Sequence, residues 1–288
     1  MSKTVGKNND KTPEDIQEYW TKERRDKAKP KPLPEVPDQE TDGDRPSPKK
    51  PIITPPHTSK NHKNRDLEVS EGLAILVADP ASFPWRCNGK LYFTWKGEDW
   101  VGSAGSILLE VLLTAGHNKY DEGEWSDDFM YWPGYPEYDK EPKSFGWSRV
   151  SIFTAWMEDR NFAFDYAMIH TDEPLTGIGS MGVIRNLSPE GKTWTAIGYP
   201  AEPPYGGEQM YKTTGKYVSG TSIITMDNND MTRGSSGGNW WYKLGKDQTY
   251  INGVQSHRGA ETSYAKSPYI DDEDYSLLLS CVAFDTCH

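Results

Sequence analysis

Hydrophobic patterning divides the chain into a polar opening segment and a strand-rich remainder. Residues 1–66 hold few apolar positions among Lys, Asp, Glu and Pro. Such a segment cannot bury enough surface to offset the entropy of ordering it, so a disordered arm is expected there. Within it a short helix is predicted over residues 15–27, and Pro30, Pro32, Pro34 and Pro37 impose an extended stretch. From Gly72 onward short apolar runs recur between turn residues. Strands are predicted over residues 73–77, 89–95, 150–156, 162–169, 194–199 and 250–259, with two more within 101–113 and two within 212–225. Residues 96–99 and Ser219-Gly220 read as turns, 175–180 as a link between two halves, and 277–284 as a closing apolar run in a strand-like tail. The stretch 118–147, polar and aromatic with many acids, reads as surface loops.

Composition adds constraints. The 288 residues allow a sizeable core, and eleven Trp and sixteen Tyr, mostly after residue 80, make the folded part aromatic-rich. Aromatic and β-branched strands with frequent Gly and Pro fit an all-β domain. The formal net charge of −11 argues against nucleic acid as a partner, because phosphate contacts need clustered Lys and Arg. No segment reaches the ~18 apolar residues that span a bilayer, so no membrane role is expected. Residues 1–8 carry no apolar signal segment, which on its own places the chain in the cytoplasm if it is complete as given. Asp121, Glu122, Glu124, Asp127 and Asp128 could in principle attract Ca²⁺, but their spacing does not match an EF-hand loop. His57, His62, His170 and His288 are spaced for neither zinc nor catalysis. No metal and no cofactor is expected.

The candidate chemistry begins at Asp230-Met231-Thr232-Arg233-Gly234-Ser235-Ser236-Gly237-Gly238-Asn239-Trp240. Glycines on both sides of a serine let the backbone curl until its N–H groups converge. Gly234 and Ser236 would then offer two donors to an oxyanion beside the Ser236 hydroxyl. The alternative is a flexible Gly/Ser turn. Two other stretches weigh against that. Residues 111–117 form an apolar run that ends in small residues and His117. Residues 162–169 embed one carboxylate, Asp165, in apolar surroundings, where it needs a partner such as an imidazole N–H.

His117, Asp165 and Ser236 stand in the chain order of chymotrypsin, unlike that of subtilisin or the α/β-hydrolases. On Thr114-Ala115-Gly116-His117, Asp165-Tyr166-Ala167-Met168, Gly234-Ser235-Ser236-Gly237-Gly238 and the Gly198-Tyr199-Pro200 strand end, the sequence resembles the trypsin-like (chymotrypsin-fold) serine peptidases over roughly residues 70–288. Intervals of 48 and 71 residues between the three motifs resemble the compact bacterial and fungal branch, near the glutamyl endopeptidases. The resemblance implies two antiparallel six-stranded β-barrels over residues 67–288. It implies a serine endopeptidase with His117, Asp165 and Ser236 as catalytic residues and Gly234 and Ser236 as the oxyanion hole. Protein or peptide substrates, a monomer and an extracellular location follow from it. Residues 19–21, 23–24 and 28–30 are similar to propeptide segments of some secreted microbial members, so the arm is either propeptide-like or a solvated linker.

For specificity, Asp230, six residues before Ser236, resembles the pocket-floor aspartate of trypsin and would favour Lys or Arg at P1. Ser256, His257 and Arg258 fall on the pocket-lining strand, and His257 or Arg258 could instead recruit an acidic P1 side chain. The histidine that glutamyl endopeptidases use aligns nearer Gln255, and a structural role for Asp230 stays open. Ser235 replaces the aspartate that pairs with a freed amino terminus in trypsin, so activation by that ion pair is not expected. Asn118 and Gly102 stand where many relatives have a disulfide. Among Cys87, Cys281 and Cys287 one bridge is possible, and Cys87–Cys281 is the expectation. Two rival readings remain. One is an α/β-hydrolase elbow at Gly234-x-Ser236-x-Gly238, with Asp271 or Asp274 and His288 as partners. The other is a weakly active or inactive peptidase fold serving as an adaptor.

Overall fold

The computed structural model describes residues 2–34, 49–57, 73–135, 143–245, 248–259 and 263–287. Two curled sheets carry the chain. The first runs, in spatial order, through Thr4–Asn8, Trp147–Phe153, Ala167–Thr171, Val111–Thr114, Glu98–Leu108, Asn88–Trp95 and Asp127–Pro133, with Lys29–Pro30 added beside Glu98–Leu108. Of its eight strands, two belong to the arm, which leaves the six expected of a barrel. The second sheet runs through Ala265–Pro268, Ile223–Met226, Tyr211–Ser219, Thr193–Gly198, Asn239–Leu244, Gln248–Val254, Gly182–Arg185 and Ile52–Thr54, with Ile75–Leu76 on Tyr211–Ser219. Pairing is antiparallel apart from Lys29–Pro30 along Glu98–Leu108 and Gly182–Arg185 along Gln248–Val254. The all-β, two-barrel class read from the sequence therefore holds.

The core follows from the alternation within these strands. Ile107, Leu113, Phe153 and Met168 of the first sheet meet Val183, Ile197, Trp241 and Val254 of the second in one apolar cluster, joined by Tyr275, Leu278 and Val282. Leu91, Phe93, Phe129, Tyr131, Trp147 and Ile169 fill the first barrel. Burying such side chains stabilises by roughly 1.5–3 kcal/mol each.

The structure corrects several expectations. Asp127–Pro133 is a strand rather than surface loop, with residues 128–133 buried. Thr154–Asp159 is helical and Phe162–Phe164 is a 3₁₀ turn, so Asp165 stands just before strand Ala167–Thr171 and not inside a strand. The tail is a helix, Asp272–Phe284. Asp271 caps it by accepting from the Asp274 N–H, and three acids occupy its first turn, where they complement the helix dipole. The disulfide joins Cys281 to Cys287, and Cys87 is a free, buried thiol that burial pushes up to about 12.

The arm is the largest correction. Residues 2–34, expected to be disordered, are built into the fold. Thr4–Asn8 pairs along Trp147–Phe153, and Thr12 caps the helix Pro13–Tyr19 with a reciprocal bond to Asp15. Ile16 and Trp20 are buried in the first barrel's end, where the Trp20 indole donates to the Asp128 carbonyl at 2.6 Å. The predicted helix over 15–27 is two helices, broken before Lys22–Lys27. The arm lacks a core of its own and borrows one, a possibility that composition does not register. The expected domain boundary at residues 66 and 67 lies outside the described residues, as do His62 and His288.

Candidate functional site

Thr114 ends its strand, and a 3₁₀ turn at Gly116–Asn118 then carries His117 into the seam between the sheets, where it is fully buried. Asp165 reaches it from the turn after Phe162–Phe164. Asp165 Oδ1 accepts the His117 backbone N–H at 2.7 Å, and Oδ2 lies 2.9 Å from His117 Nδ1. Gly116 suits that close approach, because a Cβ there would stand 3.0 Å from Asp165 Oδ1, tighter than side chains usually come. The Ser256 hydroxyl donates to the same Oδ2 at 2.5 Å. The carboxylate thus has an N–H, an imidazole and a hydroxyl as partners, which offsets the cost of burying it.

The serine loop packs directly on this turn. Asn118 Nδ2 and the Ser103 N–H both donate to the Ser236 carbonyl, at 3.0 and 2.7 Å. Gly234 has φ +91° and Gly237 φ +81°, and a side chain at 237 would collide with Thr114 and Ala115. Ser235 turns away, its hydroxyl donating to the Thr232 carbonyl at 2.7 Å. His117 Nε2 is buried and without a hydrogen-bond partner. The Ser236 hydroxyl donates elsewhere, to the Pro32 carbonyl at 3.3 Å.

That last contact belongs to a continuous line of arm residues across the site. The Lys31 N–H donates to the Val101 carbonyl at 2.8 Å, and the Lys31 carbonyl accepts the Gly234 N–H at 3.1 Å. The Arg258 N–H donates to the Pro34 carbonyl at 3.0 Å. Ser236 and His117 are inaccessible in this arrangement. The proline run was legible as extended chain; its docking was not, because nothing in the arm names its partner.

The remaining candidates divide. Both oxygens of Asp230 are engaged, Oδ1 by the Ala74 N–H at 2.9 Å and Oδ2 by the Tyr205 hydroxyl. His257 is buried, 4.3 Å from the Phe162 ring centroid, and its Nδ1 lies 2.8 Å from the Ser256 hydroxyl. The Arg258 guanidinium donates to the Met231 carbonyl. Ser256 contributes its hydroxyl to Asp165 instead of standing apart from the His–Asp pair. Gly102 faces Asn118, as the lost-bridge positions require: a Cβ at 102 would lie 2.9 Å from Asn118 Nδ2. Four of the five acids weighed for Ca²⁺ are held by cations of the chain itself. Asp121 pairs with Lys31 and Arg160, Glu122 with Lys96, Asp127 with Lys7 and Asp128 with Lys11. Among the described residues no cluster of metal-ligating side chains occurs.

Sequence reading missed Lys119. Its ammonium is fully buried two residues after His117, 3.6 Å from the Phe129 ring centroid, and has no hydrogen-bond partner. Desolvation pushes its pKa well down.

No family model and no curated relative matches the chain. Solved structures do. The protease Anisep from Arthrobacter nicotinovorans superposes with a TM-score of 0.61 at 26% identity, covering 69% of this chain and 95% of that one. A thermostable serine protease, AL20, from an extremophilic microorganism gives 0.58 at 23%, covering 66% and 94%. A Glu endopeptidase gives 0.64 at 18%, covering 75% and 99%. These neighbours bear out the resemblance carried by the three motifs: the chain has the fold of the trypsin-like serine peptidases and is similar to members near the glutamyl endopeptidases.

Proposed function

We propose that the chain is a serine endopeptidase held latent by its own N-terminal arm. The observation that carries the peptidase reading is the double grip of Asp165 on His117, through the backbone N–H and Nδ1. It leaves Nε2, which has no hydrogen-bond partner, as the atom to act as base. In the proposed reaction Ser236 Oγ attacks the scissile carbonyl. His117 Nε2 takes the hydroxyl proton and returns it to the leaving amine. Asp165 fixes the imidazole tautomer and stabilises the imidazolium, with the Ser256 hydroxyl steadying the carboxylate. The N–H groups of Gly234 and Ser236 receive the oxyanion, and loss of one such donor typically lowers kcat by about 10²–10³. The serine-protease neighbours support this reading and do not favour an adaptor. The engagement of Asp230 by Ala74 and Tyr205 supports a structural role for it over recognition of a basic P1 residue.

Latency is supported by how the arm meets these groups. A productive substrate would place one carbonyl at the Gly234 N–H with its carbon facing Ser236 Oγ. Here the Lys31 carbonyl takes the N–H while the next carbonyl, that of Pro32, takes the hydroxyl proton. The serine donates to a carbonyl oxygen, and its proton is not offered to His117. The test uses the full chain with a site-specific cleavage sequence placed within residues 35–48. After nicking, the protein should hydrolyse casein and react with a fluorophosphonate. The nicked Ser236→Ala variant should be slower by about 10⁴-fold or more. A nicked protein that neither cleaves nor labels, or a Ser236→Ala variant as fast as its parent, would refute the assignment.

A further inference from the structure

Lys31 occupies a recess that the peptidase body builds without help from the arm. The Trp95 indole donates to the Asp121 carbonyl at 3.2 Å, and the Trp100 indole donates to the Trp95 carbonyl at 3.2 Å. The two rings meet edge to face at 5.8 Å. Asp121 Oδ1 accepts the Glu122 N–H at 3.1 Å and pairs with Arg160 at 3.2 Å. This leaves Oδ2 directed inward, where it meets Lys31 Nζ at 3.1 Å. The ammonium lies 3.6 Å from the Trp95 centroid and 5.5 Å from that of Trp100. Lys96 borders the Trp95 ring at 4.6 Å and is itself paired with Glu122 at 2.7 Å. One carboxylate oxygen, the Trp95 ring and the Trp100 ring, which Lys29 also borders at 5.8 Å, therefore surround one buried cation.

We propose that this Trp95–Trp100–Asp121 recess is a recognition subsite for a lysine or arginine side chain of peptide substrates, which Lys31 fills in the latent chain. The inference rests on the peptidase reading above and gives it a substrate class. Position supports it first. The carbonyl of Lys31 is bound at the Gly234 N–H and its N–H at Val101, so the recess opens one side-chain length from the reaction centre. A residue lodged there sits within a residue or two of the scissile bond. It lies toward the strand Glu98–Leu108, beside Lys29–Pro30, and away from Ser256–Arg258, where Pro34 binds. The proposal places it on the leaving-group side, distinct from Asp230, with the arm crossing in the direction opposite to a substrate. The cost of burial supports it next. Lys31 is 2% exposed, and a buried ion pair stabilises little beyond what an apolar residue of similar volume would. An anchor needs only an apolar side chain, whereas a recess that presents a carboxylate oxygen beside two indole rings discriminates for a cation. A guanidinium fits the same chemistry by stacking on the indole.

The first test needs no catalysis. In full-length Lys31→Ala, n-butylammonium should refill the recess, with a saturable change in tryptophan fluorescence and a raised Tm. Isosteric n-butanol should give a response at least tenfold weaker. Wild type and Lys31→Ala/Asp121→Asn should show neither effect, and circular dichroism checks that each variant is folded. If Asp121→Asn fails to fold, Lys31→Ala/Trp95→Leu takes its place. Equal responses to amine and alcohol, or a response that survives loss of the recess, overturn the proposal. The second test uses nicked protein and peptide pairs that differ only by Lys or norleucine on the leaving-group side. A preference for Lys of tenfold or more in kcat/KM is expected, collapsing toward unity in Asp121→Asn. Cleavage without preference overturns the subsite and spares the peptidase reading. Failure to cleave either peptide while n-butylammonium still binds overturns both, and leaves the recess as an anchor for the arm.

Discussion

The seam between the two barrels and the seam between arm and body are made of different material. Between the barrels lies a continuous apolar cluster, with Trp85 stacked on Trp241 at 4.9 Å, and the His117–Asp165 pair is buried in the same seam. The arm is held by Ile16, Trp20 and Leu33 and by a fringe of ion pairs. These are Lys7–Asp127, Lys11–Asp128, Arg24–Asp99, Lys29–Glu98 and Lys31–Asp121. In every pair the arm supplies the cation. Residues 1–34 hold nine Lys and Arg against six Asp and Glu, a formal +3, which leaves −14 for the rest of the chain. A seam mainly of packed hydrocarbon is insensitive to salt, and the four ion pairs other than the buried Lys31–Asp121 are partly exposed and therefore are not. The difference teaches that the barrels are joined permanently while the arm is attached by forces that can be undone.

The comparison breaks most sharply at Trp20. Trp20→Ala removes the arm's main apolar anchor and the bond to Asp128, and such truncations cost about 3–5 kcal/mol. Peptidase activity of the un-nicked chain should rise by about 100-fold or more, while the cooperative melting of the body persists. Unchanged latency would mean that the arm is held by something other than this seam. A smaller effect is expected of Arg24→Glu/Lys29→Glu, which sets like charges against Asp99 and Glu98. Activity of the intact chain should rise about tenfold, and wild type in 1 M salt should move in the same direction, because screening then acts within ~3 Å. Activity that ignores both charge reversal and salt would reduce the ion pairs to ornament.

The smallest effect concerns the body's own buried cation. Lys119 and Lys31 each stand 3.6 Å over an aromatic ring, but only Lys31 has a carboxylate. Lys119→Met should therefore stabilise the fold by about 1–3 kcal/mol at pH 7, raising Tm by a few degrees. The sign of the pH dependence follows from the lowered folded pKa. The folded state binds fewer protons than the unfolded one, so wild-type stability rises toward the ordinary lysine pKa and falls as pH drops below it. The advantage of Lys119→Met should shrink between pH 7 and pH 10, as read by paired denaturant titrations. An advantage that grows over that range would mean the ammonium is stabilised where it lies.

Much of this was legible in the sequence, for identifiable reasons. His117, Asp165 and Ser236 announce themselves because each sits in a local pattern with a chemical purpose, and the structure brings the first two into contact beside the loop of the third. Strands such as Asn88–Trp95 and Thr193–Gly198 follow from alternation. The tail was misread because Leu277-Leu278-Leu279 looks like a buried strand, while the capping by Asp271 that makes it a helix is a single side-chain bond. The Asp127–Pro133 strand hid behind its leading acids, which are compensated by Lys7 and Lys11 from more than a hundred residues away. The arm's order and the role of Lys31 are likewise properties of a distant surface, and no local pattern encodes them.

The pairing of Thr4–Asn8 along Trp147–Phe153 has a consequence for the liberated enzyme. Those five residues cover the outer margin of the first sheet, and their departure would bare a row of backbone N–H and C=O groups on a strand with buried, apolar neighbours. Such a margin invites a second copy to dock alongside. Under the proposed latency, activation is therefore coupled to solubility: the departure that opens the cleft also creates a self-adhesive rim.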